Sequence, residues 1–343
     1  MGKRRNNYID IVKGVAIILV VIGHCFQFGT GNTNFETGAF FSNPVFKFIY
    51  SFHMPLFMLV SGYLFHYSIN RSTHDIIKGK LTGIILPLIS WHTLYQLICI
   101  CKGDTISLNI FFLSYFHTLW FLRALFYSCI IVLIVNRIFK DSPLAYIFVF
   151  AAMLFIPDNR LPSIFVFTMP FFCLGYLFNK SNAIRLFDKT SLTCKRLTFT
   201  IISLVYFLLL LYFKDNYYAY VTKSCLINSD NTIFYTLFVD AYRFLTALSG
   251  CIFILVLLWK LHQMVNGHAI AKTIMFFSKI SLCIYIVNHY TNETVLLNLP
   301  IETLNYSYIA IETVCVLMLS YLFYYAFNST KLTRFMFLGG RGK

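Results

Sequence analysis

Apolar residues fall along this chain in long, nearly unbroken stretches separated by short polar ones. Each stretch is close to the roughly 20 residues that a helix needs to cross a bilayer. The pattern predicts ten spans, at about 9–28, 44–66, 81–101, 118–139, 143–157, 163–179, 197–213, 234–260, 273–293 and 305–327. The stretches are continuous rather than alternating, which argues against a β-barrel. The fifth and sixth spans are short; tilting, kinks at Pro143, Pro162 and Pro170, or a partly re-entrant path would accommodate them. The loops are too short to hold a soluble domain, and no internal repeat stands out. Residues 1–343 therefore read as one all-α polytopic membrane domain.

Composition sharpens this. Of 343 residues, 58% are hydrophobic, 19% aromatic and only 12% charged. A soluble globule, a disordered chain, a coiled coil and a disulfide scaffold are all excluded by those proportions. The apolar run after Lys3, Arg4 and Arg5 imitates a signal peptide, but no small-residue cleavage site follows, so it is expected to stay as the first span. The formal charge of +15 is carried mostly by loops. With the N-terminus inside, inside segments hold twenty Lys and Arg against five outside. The five are Lys47, Lys102, Arg160, Lys214 and Lys223. That asymmetry predicts both termini in the cytoplasm and an even number of spans. It also explains the basic balance without nucleic acid, which is not an expected partner; membrane lipids are. The ten cysteines lie mostly inside apolar runs, as small hydrophobes. No disulfide framework or metal site follows from their spacing.

Ionisable residues inside spans are costly, so each invites a functional hypothesis. Lys13 and His24 are eleven residues apart, almost three helical turns, so they share one face about 16 Å apart. Asp10 falls within about 40° of that face. The stripe joins a cation at one membrane face to a histidine in the far half, a length comparable to a pantetheine arm. The alternative is that Lys13 snorkels to headgroups and His24 is a bonded bundle histidine. His53 sits in Ser51-Phe52-His53-Met54-Pro55. It is either functional or satisfies backbone freed by Pro55. Trp120 suits an interfacial belt, whereas Arg123 lies deeper. Asp240 and Arg243, three apart, read as an ion pair by default. Ser278, Ser281, Tyr285 and His289 form a polar stripe with Asn288 beside it; His92 and Glu312 lie at intermediate depth. Polar seams also glue helices together. Histidines and arginines from five helices at one depth nevertheless suggest a cavity. With no nucleophile elbow and no metal motif, acid–base chemistry fits: a histidine takes a hydroxyl proton, and Arg123 or Arg243 stabilises an oxyanion or orients an anionic acceptor. Lys78 and Lys80 are candidates for holding phosphates. Cys25 points about 100° from His24 on the helix, which disfavours a Cys–His dyad.

Several runs resemble the acyltransferase-3 membrane proteins. They are Tyr8-Ile-Asp-Ile-Val-Lys13-Gly14 with Gly23-His24, and Phe52-His53-Met54-Pro55-Leu56-Phe57 with Ser61-Gly62-Tyr63. Leu119-Trp120-Phe121-Leu122, Pro170-Phe171-Phe172-Cys173-Leu174-Gly175-Tyr176, and Ser281-Leu282-Cys283-Ile284-Tyr285 with His289 continue the match in order along nearly the whole chain. The subgroup most similar acetylates bacterial surface glycans such as O-antigen, capsule, enterobacterial common antigen or nodulation oligosaccharides. The resemblance implies a ten-helix fold in a bacterial inner membrane. It implies an O-acetyltransferase that moves acetyl from cytoplasmic acetyl-CoA, without a metal, to a sugar hydroxyl of a polysaccharide or its lipid-linked precursor. It implies that His24 is the catalytic residue; His24 would activate the acceptor hydroxyl or carry the acetyl transiently, with His53 and Arg123 as further catalytic candidates lining the site. Lys13, Lys78 and Lys80 would hold the donor, and Trp120, Arg243, Tyr285 and His289 the acceptor. Where the family often has arginine eleven residues before the histidine, this chain has Lys13. Where it has a pair of arginines before the third span, this chain reads Lys78-Gly79-Lys80-Leu81-Thr82-Gly83. Members with an extra esterase-like domain continue well past the tenth span; no such domain is expected here. The main rival reading is a flippase or transporter of lipid-linked sugars, which should show repeats or paired broken helices.

Overall fold

The computed structural model describes residues 6–28, 40–103, 107–157, 163–227, 231–265, 267–296 and 305–340. Among the loop charges counted above, Lys3, Arg4, Arg5, Arg160, Arg341, Lys343 and the side chain of Arg185 lie outside the described residues, as does Pro162. The described residues form helices and no strand: an all-α polytopic membrane protein. In chain order the helices are α1 (Asn7–Phe28), α2 (Pro44–Tyr50), α3 (His53–Phe65), α4 (Thr73–Lys80), α5 (Leu86–Cys101) and α6 (Leu108–His117). There follow α7 (Trp120–Phe139), α8 (Pro143–Leu154), α9 (Ser163–Lys180), α10 (Ala183–Lys189), α11 (Leu192–Leu211) and α12 (Ile233–Val265). The chain closes with α13 (Ala269–Lys279), α14 (Ser281–Thr294), α15 (Tyr306–Asn328) and α16 (Lys331–Leu338).

Eight helical segments among the described residues are long and apolar enough to cross a membrane, with α2 and α3 counted together and α4 and α5 counted together. Two expected spans take other forms. The ninth is a broken pair, α13 and α14, bent by 73° at Ile280. The fifth is α8, only 12 residues long, started by Ser142 and Pro143. Besides the short helices α4, α10 and α16, which lie outside the expected spans, two further elements were not expected. The apolar helix α6, begun by Ser107 accepting from the Ile110 N–H, fills part of the loop before Trp120. A π turn over Leu81–Ile85 joins α4 to α5. Such turns insert an extra residue and re-aim the side chains around them.

Helix starts follow the sequence chemistry. The Asn43 carboxamide accepts from the Val45 and Phe46 N–H groups ahead of Pro44. Ser72 caps α4 while its hydroxyl donates to Asp75. The break between α2 and α3 lies where Pro55 removes a donor from the ladder. There Ser51 turns its hydroxyl back to the Phe48 carbonyl and out to Tyr206.

The core runs through α1, α3, α9 and α14, which are largely buried, while α11 and α15 show most of their surface. α3 packs most extensively on α9. That contact is closed by Gly62 and Gly175: a Cβ at either would meet the opposite backbone below 2 Å. α1 packs along α13, α14 and α15. A polar knot ties α7, α8 and α9 together beside the α7–α8 turn. Asp141 there is buried and accepts from Lys180, Asn136, Tyr176 and Tyr146. Burial works to raise its carboxyl, but the Lys180, Asn136 and Tyr176 hydrogen bonds outweigh it and hold Asp141 below its ordinary range.

Candidate functional site

Two cavities are lined in part by nearby residues of the same two helices, α3 and α7. The first, about 230 Å³, lies near the start of α1 and is lined by lysines from three elements: Lys13, Lys80 and Lys279. Its walls are partly polar, with Ser61, Ser68 and Ser281, and run on to Phe121 and Tyr285. Lys80 crosses the Phe65 ring at 4.9 Å. Leu338 of α16 closes one side. Lys78 does not line the cavity and is exposed. Two residues apart on a helix, Lys78 and Lys80 point to different faces, so one cavity cannot take both. Lys279 was missed as a site residue. It ends α13 at the 73° elbow, which turns it towards the cavity; nothing in the hydropathy pattern marks that elbow.

The second cavity is about 20 Å³, lined by Tyr50, Ser51, His53, Trp120, Arg243 and the loop residues Tyr217, Tyr218 and Tyr220 among others. α7 begins on Leu119 with a positive φ of 47°. From that start Trp120 faces this cavity and Phe121 the first one. The loop after α11 folds inward because Arg243 anchors it. Arg243 is fully buried, donates to the Thr222 carbonyl at 2.7 Å and to the Ser224 hydroxyl, and pairs with Asp240. The expected ion pair is therefore present, and it also braces a loop. Burial raises the Tyr218 and Tyr220 phenols, so both stay protonated.

Two histidines lie within electrostatic range of a third, His24, and one of the two, His53, lines the second cavity. His24 carries Asn288 on its Nδ1 at 2.6 Å and meets the Phe28 ring edge-on. His53 and His289 are both within electrostatic range of His24. His53 opens α3, is 1% exposed, and places Nδ1 3.0 Å from the Ile49 carbonyl oxygen. Tyr50 leans on the His53 ring, 4.6 Å between centroids, while its hydroxyl donates to Gln27. His289 reaches Thr118 at 3.0 Å and Glu293 at 3.4 Å.

The structure thus gathers His24, His53 and His289 but divides the other candidates. Trp120 and Arg243 belong to the second cavity, Lys13 and Lys80 to the first. Tyr285, expected beside the acceptor, lines the first cavity and takes the Phe121 N–H at 3.3 Å. Arg123 lines neither cavity; it lies in electrostatic range of Tyr127 and Tyr285, and its Nε is buried without a partner. His92 serves a polar seam with Tyr290, Ser114 and Gln96. Asn288 was noted only as a neighbour of the stripe. Ser281, Tyr285, Asn288 and Asn292 are all buried and spaced by four, three and four, so the stripe runs through Asn288. Among the described residues, no three His, Cys, Asp or Glu side chains are grouped as metal ligands.

Comparison with known proteins follows the same line. The acyltransferase-3 family, described as an acyltransferase domain, matches residues 6–328. A protein called nodulation protein NolL, from Mesorhizobium japonicum, is 34% identical over 181 residues, 51% of this chain and 48% of the relative. A protein of the same name from Sinorhizobium fredii is 34% identical over 186 residues, 52% of this chain and 50% of the relative. The chain spans about half the length of the curated relatives it matches. No solved structure matches it.

Proposed function

We propose, from the premise that the chain belongs to the acyltransferase-3 family, that this membrane acyltransferase moves acetyl from acetyl-CoA to a sugar hydroxyl of a bacterial surface glycan or its lipid-linked precursor. The observation that carries the proposal is the lysine-lined cavity at Lys13, with His24 eleven residues further along the same helix. The three lysines suit the phosphates of a coenzyme A donor, since ammonium groups bind phosphate oxygens as point charges. From Lys13 to His24 the helix rises about 16 Å, a reach comparable to the pantetheine arm. The second cavity, about 20 Å³ and bordered by Trp120, Tyr217 and Tyr220 near Arg243, suits one hydroxyl of a sugar, with polar groups to orient it and aromatic side chains at its edge. Likeness to the glycan-acetylating subgroup supports a sugar acceptor, and both relatives are named for nodulation.

In this reading the lysine end of the bundle faces the cytoplasm, with both termini, in the inner membrane. His24 stands where thioester and hydroxyl meet, and the reaction turns on it. A preorganised imidazole there contributes about 10²–10⁴-fold as a proton carrier, or about 10²–10³-fold as a hydrogen-bond donor to the charge developing on the thioester. The test is deletion of the gene in its own strain, with proton NMR of the surface polysaccharide. Loss of one O-acetyl methyl signal, restored by the wild-type gene and not by His24→Ala at equal membrane level, is the expected result. Unchanged acetylation overturns the acceptor. Disappearance or shortening of the polysaccharide itself favours the flippase reading.

A further inference from the structure

Three residues lining the second cavity each carry a buried polar atom with no hydrogen-bond partner: His53 Nε2, Tyr218 Oη and Arg243 Nε. A polar atom buried without a partner costs about 1–3 kcal/mol. Three residues that line one hollow and each hold such an atom mark a seat for a polar guest. The hollow, about 20 Å³, is enough for one water-sized group. It fits a hydroxyl and not a sugar ring.

The three groups differ in what they offer. His53 Nδ1 faces the Ile49 carbonyl, which only accepts, so Nδ1 carries the hydrogen and the neutral ring keeps its lone pair on Nε2. The broken turn between α2 and α3 holds the ring there: His53 is the first residue after the break, and the Ile49 carbonyl also takes the Phe52 N–H. Arg243 Nε is a donor only, and the Tyr218 hydroxyl donates or accepts. A basic lone pair ringed by donors receives an O–H and draws off its proton. On α1 the opposite tautomer holds. The Asn288 amide nitrogen donates to His24 Nδ1, which puts the His24 hydrogen on Nε2.

We propose that the acceptor hydroxyl docks between His53, Tyr218 and Arg243, and that His53 is the base that takes its proton. This rests on the acetyl-transfer reading above and divides its labour: His53 serves the acceptor, and His24, with Nε2–H, serves the donor. As the hydroxyl oxygen bonds to the acetyl carbonyl carbon, its proton passes to His53 Nε2. The carbon–sulfur bond of the thioester breaks, and its electron pair leaves on the coenzyme's sulfur. The proton then passes from His53 to that thiolate, giving the free thiol and restoring the neutral ring.

The experiment uses membranes holding the full chain, radiolabelled acetyl-CoA, and surface polysaccharide of the parent strain freed of acetyl by mild alkali. His53→Ala is expected to lower kcat by about 100-fold or more while the KM for acetyl-CoA stays within about threefold. Added imidazole, filling the space of the lost ring, is expected to restore about tenfold of that loss. A merely structural histidine would give no such rescue. Retention of more than about a third of wild-type kcat overturns the proposal. So does a loss that imidazole leaves untouched and that raises the acetyl-CoA KM equally. If His53→Ala does not reach the membrane, His53→Gln, which keeps an amide donor but no basic nitrogen, takes its place. The same loss of kcat then supports the proposal, and retained turnover overturns it. Wild type that transfers no label would sink the acetyl-transfer reading itself; active wild type beside active His53 variants would sink this inference alone.

Discussion

Gly62 on α3 and Gly175 on α9 hold the tightest helix contact near the site, so a single methyl group tests it. A Cβ on Gly62 would lie 1.9 Å from the Phe172 carbonyl oxygen, and one on Gly175 would lie 1.8 Å from that of Leu59. Ordinary contact begins near 3.4 Å. Both obstacles are backbone, so no rotamer relieves the clash, and the helices must part by about 1.5 Å. Overpacking of this kind costs about 1–3 kcal/mol, or a melting midpoint lower by roughly 1.5–4 °C for a chain of this length. The damage also reaches the chemistry, because α3 begins with His53. A misplacement near 1 Å costs about 100-fold in rate. The assay is heating in detergent followed by size-exclusion chromatography, paired with the acetyl-transfer measurement on the same membranes. Gly79→Ala is the control: nothing lies within 4 Å of its Cβ, and alanine favours helix by up to about 1 kcal/mol. Gly62→Ala and Gly175→Ala that melt within about 1 °C of wild type and transfer at full rate would refute the packing argument.

Three more outcomes follow. Lys80→Ala and Lys279→Ala should each raise the KM for acetyl-CoA by about tenfold, the worth of one charge-assisted contact; Lys78→Ala, outside the cavity, should change it less than about twofold. Asp141→Asn should lower stability at neutral pH by about 2 kcal/mol, the worth of hydrogen bonds to a charged group, read as a lower melting midpoint. The carboxyl of Asp141 sits below its unfolded value, so its contribution is full above about pH 4 and is lost as pH falls through the lowered value. Melting curves from pH 7 to 3 should show that acid-side loss in wild type and not in Asp141→Asn. Asn288→Asp offers His24 Nδ1 only an acceptor, which moves the ring hydrogen from Nε2 to Nδ1. Turnover is expected to fall by about 10-fold or more at equal membrane level; a gain in kcat would show that His24 works as a base through Nε2.

Much of the fold was legible because a bilayer enforces it. Long apolar runs become helices since no other open structure satisfies its backbone there. The elbow in α13–α14 escaped because no proline or glycine marks it: Lys279-Ile280-Ser281 reads as uninterrupted helix. The candidate site was legible where charge stood out against hydrocarbon, as at Lys13, His24, His53 and Arg243. It was not legible where ordinary residues are recruited from loops. Tyr218 lies in a stretch that reads as a solvated outer loop, yet it is buried because Arg243 pulls the loop backbone into the bundle. Tyr285, read as an acceptor-side residue, lines the lysine-lined cavity, because helical spacing gives a face but not the neighbours across it. Lys78 is different: its separation of two residues from Lys80 already implied that one of them points elsewhere.

The central claim is that acetyl passes from acetyl-CoA to a glycan hydroxyl through a site built around His24. Purified full-length chain in lipid nanodiscs, radiolabelled acetyl-CoA and alkali-deacetylated polysaccharide test it without other cell components. The account predicts that wild type moves label into the polysaccharide. It predicts that His24→Ala, with the same melting midpoint, does so at least about 100-fold more slowly. Transfer by His24→Ala at more than about half the wild-type rate would contradict it.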